Sequence, residues 1–308
     1  MDKAISIIQT ALPVFLAIAL GMLCRSKNFL TRDGVDTLKK VVINITLPAV
    51  LLDAFATAEY TMAALILPAV MFGLCCVALV LGKLLIRLSG MKSRLAPFLA
   101  TGFEAGMLGY ALFGLLFPEV PKSAFALPDI GQTLFVFTLF KILISGKTDL
   151  KAIGKDMITT PILWAVFAGV LIGATGLYGK LQTWGVAGIL DGVTDFVSAP
   201  TAMIILLTVG FDLVIREIPW KKTAGLMGMR LLVAAILFGI VVLLNKTVLD
   251  NMFFTGAAMV MFILPPPYVI PVFADEPEER VQISAALSAM TLMTVILFAV
   301  LTVIVGMQ

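Results

Sequence analysis

One carboxylate, Glu104, stands in the otherwise uncharged stretch TGFEAGMLGYALFG (101–114), and Tyr268 directly follows three prolines in FILPPPYVIPVFADE (262–276). An ionisable group among glycines, and a hydroxyl beside backbone that cannot stay helical, suit the holding and release of a small solute or ion. Inside a spanning helix such a group costs roughly 2.5 to 3.5 kcal/mol on insertion scales, which makes Glu104 a functional candidate. Three roles are open to it: proton carrier, sodium ligand, or partner of a cationic substrate group. Structural pairing with a Lys or Arg from another segment is the competing reading; Arg230 reads either as that partner or as a cation snorkelling towards the cytoplasmic interface. Asn44 and Pro48 lie four apart and share a helix face, as do Asp129 and Gln132, three apart in PDIGQT. An amide at Asn44 could donate to a carboxylate or cap a half-helix. Asp129 reads equally as a site group or as an N-terminal helix charge.

Bond-breaking chemistry finds few residues here. The 308 residues include no histidine, which removes Ser-His-Asp and HExxH arrangements together. The cysteines Cys24, Cys75 and Cys76 show no CxxC spacing, so neither a zinc centre nor a disulfide framework is expected. The reading is a protein that is not an enzyme, with no metal centre and no cofactor beyond a coupling ion, sodium or proton.

The elements that must position these groups are set by hydropathy. About 60% of the residues are apolar, 13% are charged, and the mean hydropathy is +1.08. A soluble domain carries about a quarter charged residues, so this composition belongs in a bilayer. With ~20 apolar residues per crossing, the chain length accommodates about ten spans. Apolar windows place them near 4–24, 36–57, 62–86, 95–118, 123–143, 159–178, 189–213, 223–245, 252–274 and 281–306. The net charge of +3 is modest and spread between spans, which argues against a nucleic-acid partner.

The connections alternate in charge. One side holds Arg25, Lys27, Arg32, Lys39 and Lys40, Lys83 to Arg94, Lys141 to Lys155, Arg216 to Lys222, and Arg280; the other holds Lys3, Lys122, Lys180 and Lys246. The positive-inside rule then puts both termini outside the cytoplasm of a plasma membrane, by expectation a bacterial inner membrane. Asp212 with Arg216 reads as an interfacial pair, Asp53 as an outer rim charge, and Asp275, Glu276, Glu278 and Glu279 as a solvated cluster.

The chain divides near its middle. SGKTDLKAIGKDMITT (145–160) is polar and basic, and RDGVDTL (32–38) is echoed by LDGVTDF (190–196) about half a chain later. We expect a first five-helix repeat over 1–147, a cytoplasmic linker at 148–158, and a second repeat over 159–308. Five is odd, so the repeats take opposite orientations. The fourth and ninth spans correspond, and both are hard to keep helical. The fourth carries Gly106 and Gly109; the ninth carries Pro265, Pro266, Pro267 and Pro271. Matched Gly/Pro interruptions point to a transport site at the membrane midplane, where freed amides and carbonyls face a polar guest. A packing kink is the bland alternative for one proline, less so for three in a row.

VVINITLPAVLL (41–52), GMLGYALFG (106–114), PDIGQTLFVFTL (128–139) and LPPPYVIPVFADEP (264–277) resemble the membrane transport protein family that contains the auxin efflux carriers and bacterial malonate or malate permeases, within a superfamily of bile-acid-transporter-like proteins. The resemblance runs nearly end to end. It implies an all-α fold of ten transmembrane helices with crossing broken helices. Helices 1, 2, 6 and 7 would form a scaffold, and helices 3–5 and 8–10 a mobile transport unit. It implies an elevator-type carrier of a small organic carboxylate anion, proton- or sodium-coupled, with a homodimer open as its assembly. Two positions depart from the family pattern: Glu104 stands where asparagine is common and Ala111 where the crossover proline is common. A channel or ligand sensor using the same cavity is the alternative function.

Overall fold

The computed structural model describes residues 2–60, 66–145, 159–213, 218–274 and 276–307. Among them the ordered elements are helical, and no strand occurs. Among the described residues seven helices are long and apolar enough to cross a membrane, or eight if one bent pair counts as a single span. The expected linker at 148–158, together with Arg216 and Asp275, lies outside the described residues.

Helix α1 covers Asp2–Ser26. Next, α2 (Arg32–Val41) starts at Thr31, whose hydroxyl accepts from the amide of Gly34, and it carries Asp33 in its first turn and Lys39 and Lys40 in its last. Cap, acid and base each favour the helix end where they sit. A widened π turn, Val42–Thr46, leads into α3 (Leu47–Ala56). Pro48 has no amide to return to residue 44, and the wide turn lies where that bond is missing. Helix α4 (Ile66–Ser89) is continuous.

The fourth segment is broken. A 3₁₀ turn, Ala96–Ala100, ends in extended backbone at Thr101; helix resumes with a π turn, Ala105–Gly109, and α5, Tyr110–Leu116. Gly102 sits in the gap at φ +69°, and a β-carbon there would fall 2.8 Å from Cγ of Pro267. Left-handed geometry and close approach both demand glycine. The following segment is α6 (Ser123–Phe135), a π turn (Val136–Phe140) and α7 (Lys141–Ser145).

The sixth window, read from sequence as one span at 159–178, holds one helix and reaches the start of a second, and the two together pass as a single bent span. They are α8 (Pro161–Ala174) and α9 (Leu177–Thr183), bent by 65°. Gly176 supplies the positive φ at which the axis turns. Then come α10 (Ala187–Ser198), α11 (Thr201–Asp212) and the long α12 (Trp220–Thr247). The ninth segment breaks like the fourth. Helix α13 (Thr255–Ile263) stops at Leu264, and a 3₁₀ turn, Ile270–Phe273, follows the prolines. Helix α14 (Pro277–Met307) closes the described chain.

Packing pairs α1 with α11, α3 with α8, and α4 with α6. The core includes the surroundings of the two breaks, where Leu99, Phe103, Leu108, Ala257 and Leu264 are buried. Asp212 joins Arg32 and Lys39, tying α11 to α2. Asp53 is not only a solvated rim charge: it receives Lys122 at 2.7 Å from the start of α6.

Candidate functional site

The two interrupted segments meet. The amide of Glu104 donates to the carbonyl of Pro265 at 2.9 Å, a main-chain bond from one break to the other. The side chain of Glu104 crosses back: Oε2 accepts from the amide of Tyr268 at 2.7 Å and Oε1 from that of Met107 at 3.4 Å. Both amides lie just beyond a break, where the preceding chain offers no helical acceptor. The carboxylate therefore caps both continuing half-segments, and its charge suits those N-terminal ends.

The carbonyl ends are satisfied by a different residue. Arg230 of α12 donates through Nη2 to Gly102 at 2.9 Å and Leu264 at 2.8 Å, and through Nη1 to Leu99 at 3.5 Å. Its guanidinium lies 4.9 Å from the ring centre of Phe103. The sequence left Arg230 either snorkelling to the interface or paired with Glu104. It does neither: at 2% exposure it is buried, and its bonds run to main-chain oxygens of the breaks.

Beside the crossing lies a cavity of about 460 Å³. Its walls come from α3, the fourth segment, α6 with the turn after it, α8, and the proline segment; Leu47, Phe55, Phe137, Val166 and Phe273 supply apolar surface. Polar groups are few: Glu104, Tyr110, Asp129, Gln132, Thr133, Lys141, Thr160 and Tyr268. A mostly apolar cavity of this size with a few placed polar groups matches the form of small-molecule sites.

Asp129 is buried in the middle of α6 rather than at a helix start. Its Oδ2 accepts from the Tyr110 hydroxyl at 2.9 Å and its Oδ1 from Gln132 Nε2 at 3.2 Å. Gln132 Nε2 also reaches the carbonyl of Phe103 at 3.0 Å, while its buried Oε1 has no partner. An orphaned buried acceptor is costly, and here it belongs to a cavity-lining residue, so a ligand donor would relieve it. The Tyr268 hydroxyl is 3.0 Å from Oγ1 of Thr291 on α14.

Of the residues singled out from sequence, Glu104, Gly106, Asp129, Gln132, Pro267 and Tyr268 share this cavity. Gly109 lies behind it against Phe125 and Leu264. Pro265 contributes its carbonyl to the crossing, Pro266 is buried, and Pro271 belongs to the 3₁₀ turn. Asn44 is exposed and donates to Lys40 at 2.8 Å; neither it nor Pro48 lines the cavity, although their neighbours Ile43 and Leu47 do. Sequence reasoning passed over Tyr110, whose position within GMLGYALFG, six residues after Glu104, was the available signal.

No family model matches the chain. A protein of Methanothermobacter thermautotrophicus (strain Delta H) named "Uncharacterized transporter" is 25% identical over 237 residues, covering 74% of this chain and 76% of the relative.

Proposed function

We propose that this chain is a secondary carrier resembling the auxin efflux carriers, moving a small organic carboxylate anion across a plasma membrane. One observation carries the reading: two interrupted segments cross through Glu104 at the wall of a cavity that only a few polar groups line. The relative named a transporter, similar over about three quarters of both chains, supports the class.

In this reading the chain crosses the membrane ten times as two inverted repeats, 1–147 and 159–308, with both termini outside the cytoplasm. Helices 1, 2, 6 and 7 form the scaffold, and helices 3–5 and 8–10 form the unit that moves. The cavity suits such an elevator because α3 and α8 line one part of it and the fourth, fifth and ninth segments line the rest. A solute held there sits between the two bodies and travels with one of them.

Glu104 sets the coupling. When ionised, its carboxylate occupies the amides of Tyr268 and Met107. A proton on Glu104 removes the charge, releases those donors to a substrate carboxylate, and travels with the substrate. Asp129, Tyr110, Tyr268 and Lys141 are the other titratable groups at the cavity. The alternative, a sodium ion held by Glu104, makes the same carboxylate a ligand rather than a competitor.

The test is reconstitution. Thermal-shift screening of small carboxylates, with and without sodium, finds ligands, since binding to the folded state raises its stability. Counterflow of a radiolabelled hit in proteoliposomes then separates carrier from channel. Accelerated exchange by internal unlabelled substrate is expected. Flux without counterflow would reject the carrier.

A further inference from the structure

Arg230 plays no part in the coupling scheme above, yet it is the most deeply buried charge at the crossing. Its three acceptors are not arbitrary. Leu99 lies in the 3₁₀ turn before the first break, Gly102 lies in that break, and Leu264 ends the helix before the second. These carbonyls come from the ends of two helical pieces of opposite halves of the chain, where the negative end of each helix dipole favours a cation. Clustered main-chain carbonyls are also the groups with which proteins replace the hydration shell of an alkali cation. Among the described residues the guanidinium touches no carboxylate. Its compensation is carbonyl oxygens and the face of Phe103, and its Nε has no partner.

We propose that Arg230 is a tethered cation filling a carbonyl site that the two breaks create jointly, so that the crossing is held closed without a free alkali ion at that point. Removing the guanidinium uncovers a site for a small monovalent cation, of the chemistry of sodium or guanidinium itself. The donors differ from those at Glu104, which presents an anion to amides on the other side of the breaks. The proposal is therefore separate from the transport reading, and its test needs no substrate.

Thermal unfolding of the purified protein, followed by tryptophan fluorescence, is measured in choline chloride and in matched low concentrations of sodium, potassium and guanidinium chloride. Wild type is expected to unfold at one midpoint in choline, potassium and guanidinium, and any shift it shows in sodium is the Glu104 baseline against which the variants are read. Arg230→Met, which keeps an unbranched stem without the guanidinium, is expected to unfold lower in choline and to recover by several degrees in guanidinium or sodium. Arg230→Lys, which keeps a charge, is expected to stay near wild type and indifferent to the salt. The proposal is overturned by an Arg230→Met protein equally unstable in every salt, including one that never folds in any of them. It is also overturned by an Arg230→Lys protein as unstable as Arg230→Met, or by an Arg230→Met protein that sodium and guanidinium stabilise no more than they stabilise wild type.

Discussion

Glu104→Gln separates the structural work of the carboxylate from its role in the cycle. The carboxylate accepts two main-chain amides, at 2.7 Å from Tyr268 and 3.4 Å from Met107. A glutamine keeps one acceptor oxygen and turns a donating NH₂ toward the other amide, so one bond is lost and two donors oppose. The shorter bond carries most of the energy, and a hydrogen bond to a charged group contributes about 1.5–3 kcal/mol. At 1.4 kcal/mol per tenfold, a substrate carboxylate freed of this competitor gains about 10- to 150-fold in apparent affinity. Stability falls by a similar energy in the empty protein. In wild type, acidification protonates Glu104 and frees the amides, so uptake of the anion rises as pH falls. The variant is fixed in the neutral form, so its uptake is expected to be flat with pH and its KM low throughout. Initial rates in proteoliposomes over a range of external pH measure both. A variant that keeps the wild-type pH profile and KM removes Glu104 from the coupling.

Three further outcomes follow from the same geometry. Replacing Pro265, Pro266 and Pro267 together with alanine returns amide donors to the ninth segment and lets helix run through the crossing; uptake is expected to fall to the level of empty liposomes while the protein still elutes folded. Gly102→Ala forces a side chain into left-handed backbone 2.8 Å from Pro267; a left-handed residue alone costs about 1–2 kcal/mol, so a lower thermal midpoint is expected, and an unchanged one would reject the close contact. Tyr110→Phe removes the hydroxyl that donates to Asp129 at 2.9 Å; leaving that carboxylate short of a partner costs about 1–3 kcal/mol, and a shifted KM with near-normal folding is expected.

The broken segments were legible because glycine and proline act locally. Three successive prolines cannot continue a helix, whatever surrounds them. Glu104 stood out because a lone carboxylate in an apolar run is costly, while the two main-chain amides that it caps leave no mark in the sequence. Arg230 was visible as an intramembrane cation, but its partners were not. Its acceptors lie 131, 128 and 34 residues away and are main-chain oxygens, which leave no side-chain signature. The same holds for Asn44, where an exposed amide bonding to its own helix reads in sequence like a site residue. The 65° bend at Gly176 falls just inside the expected end of the sixth window, where a glycine in the sequence gives no angle between the helices that it joins.

A carrier of this design holds its substrate in the cavity beside the crossing. A cryo-EM structure with a transported carboxylate bound is the direct test. Ligand density is expected beside Tyr268 and Gln132, with the Glu104 carboxyl withdrawn from the Tyr268 amide. A bound, transported ligand located elsewhere, with that bond intact, would contradict it.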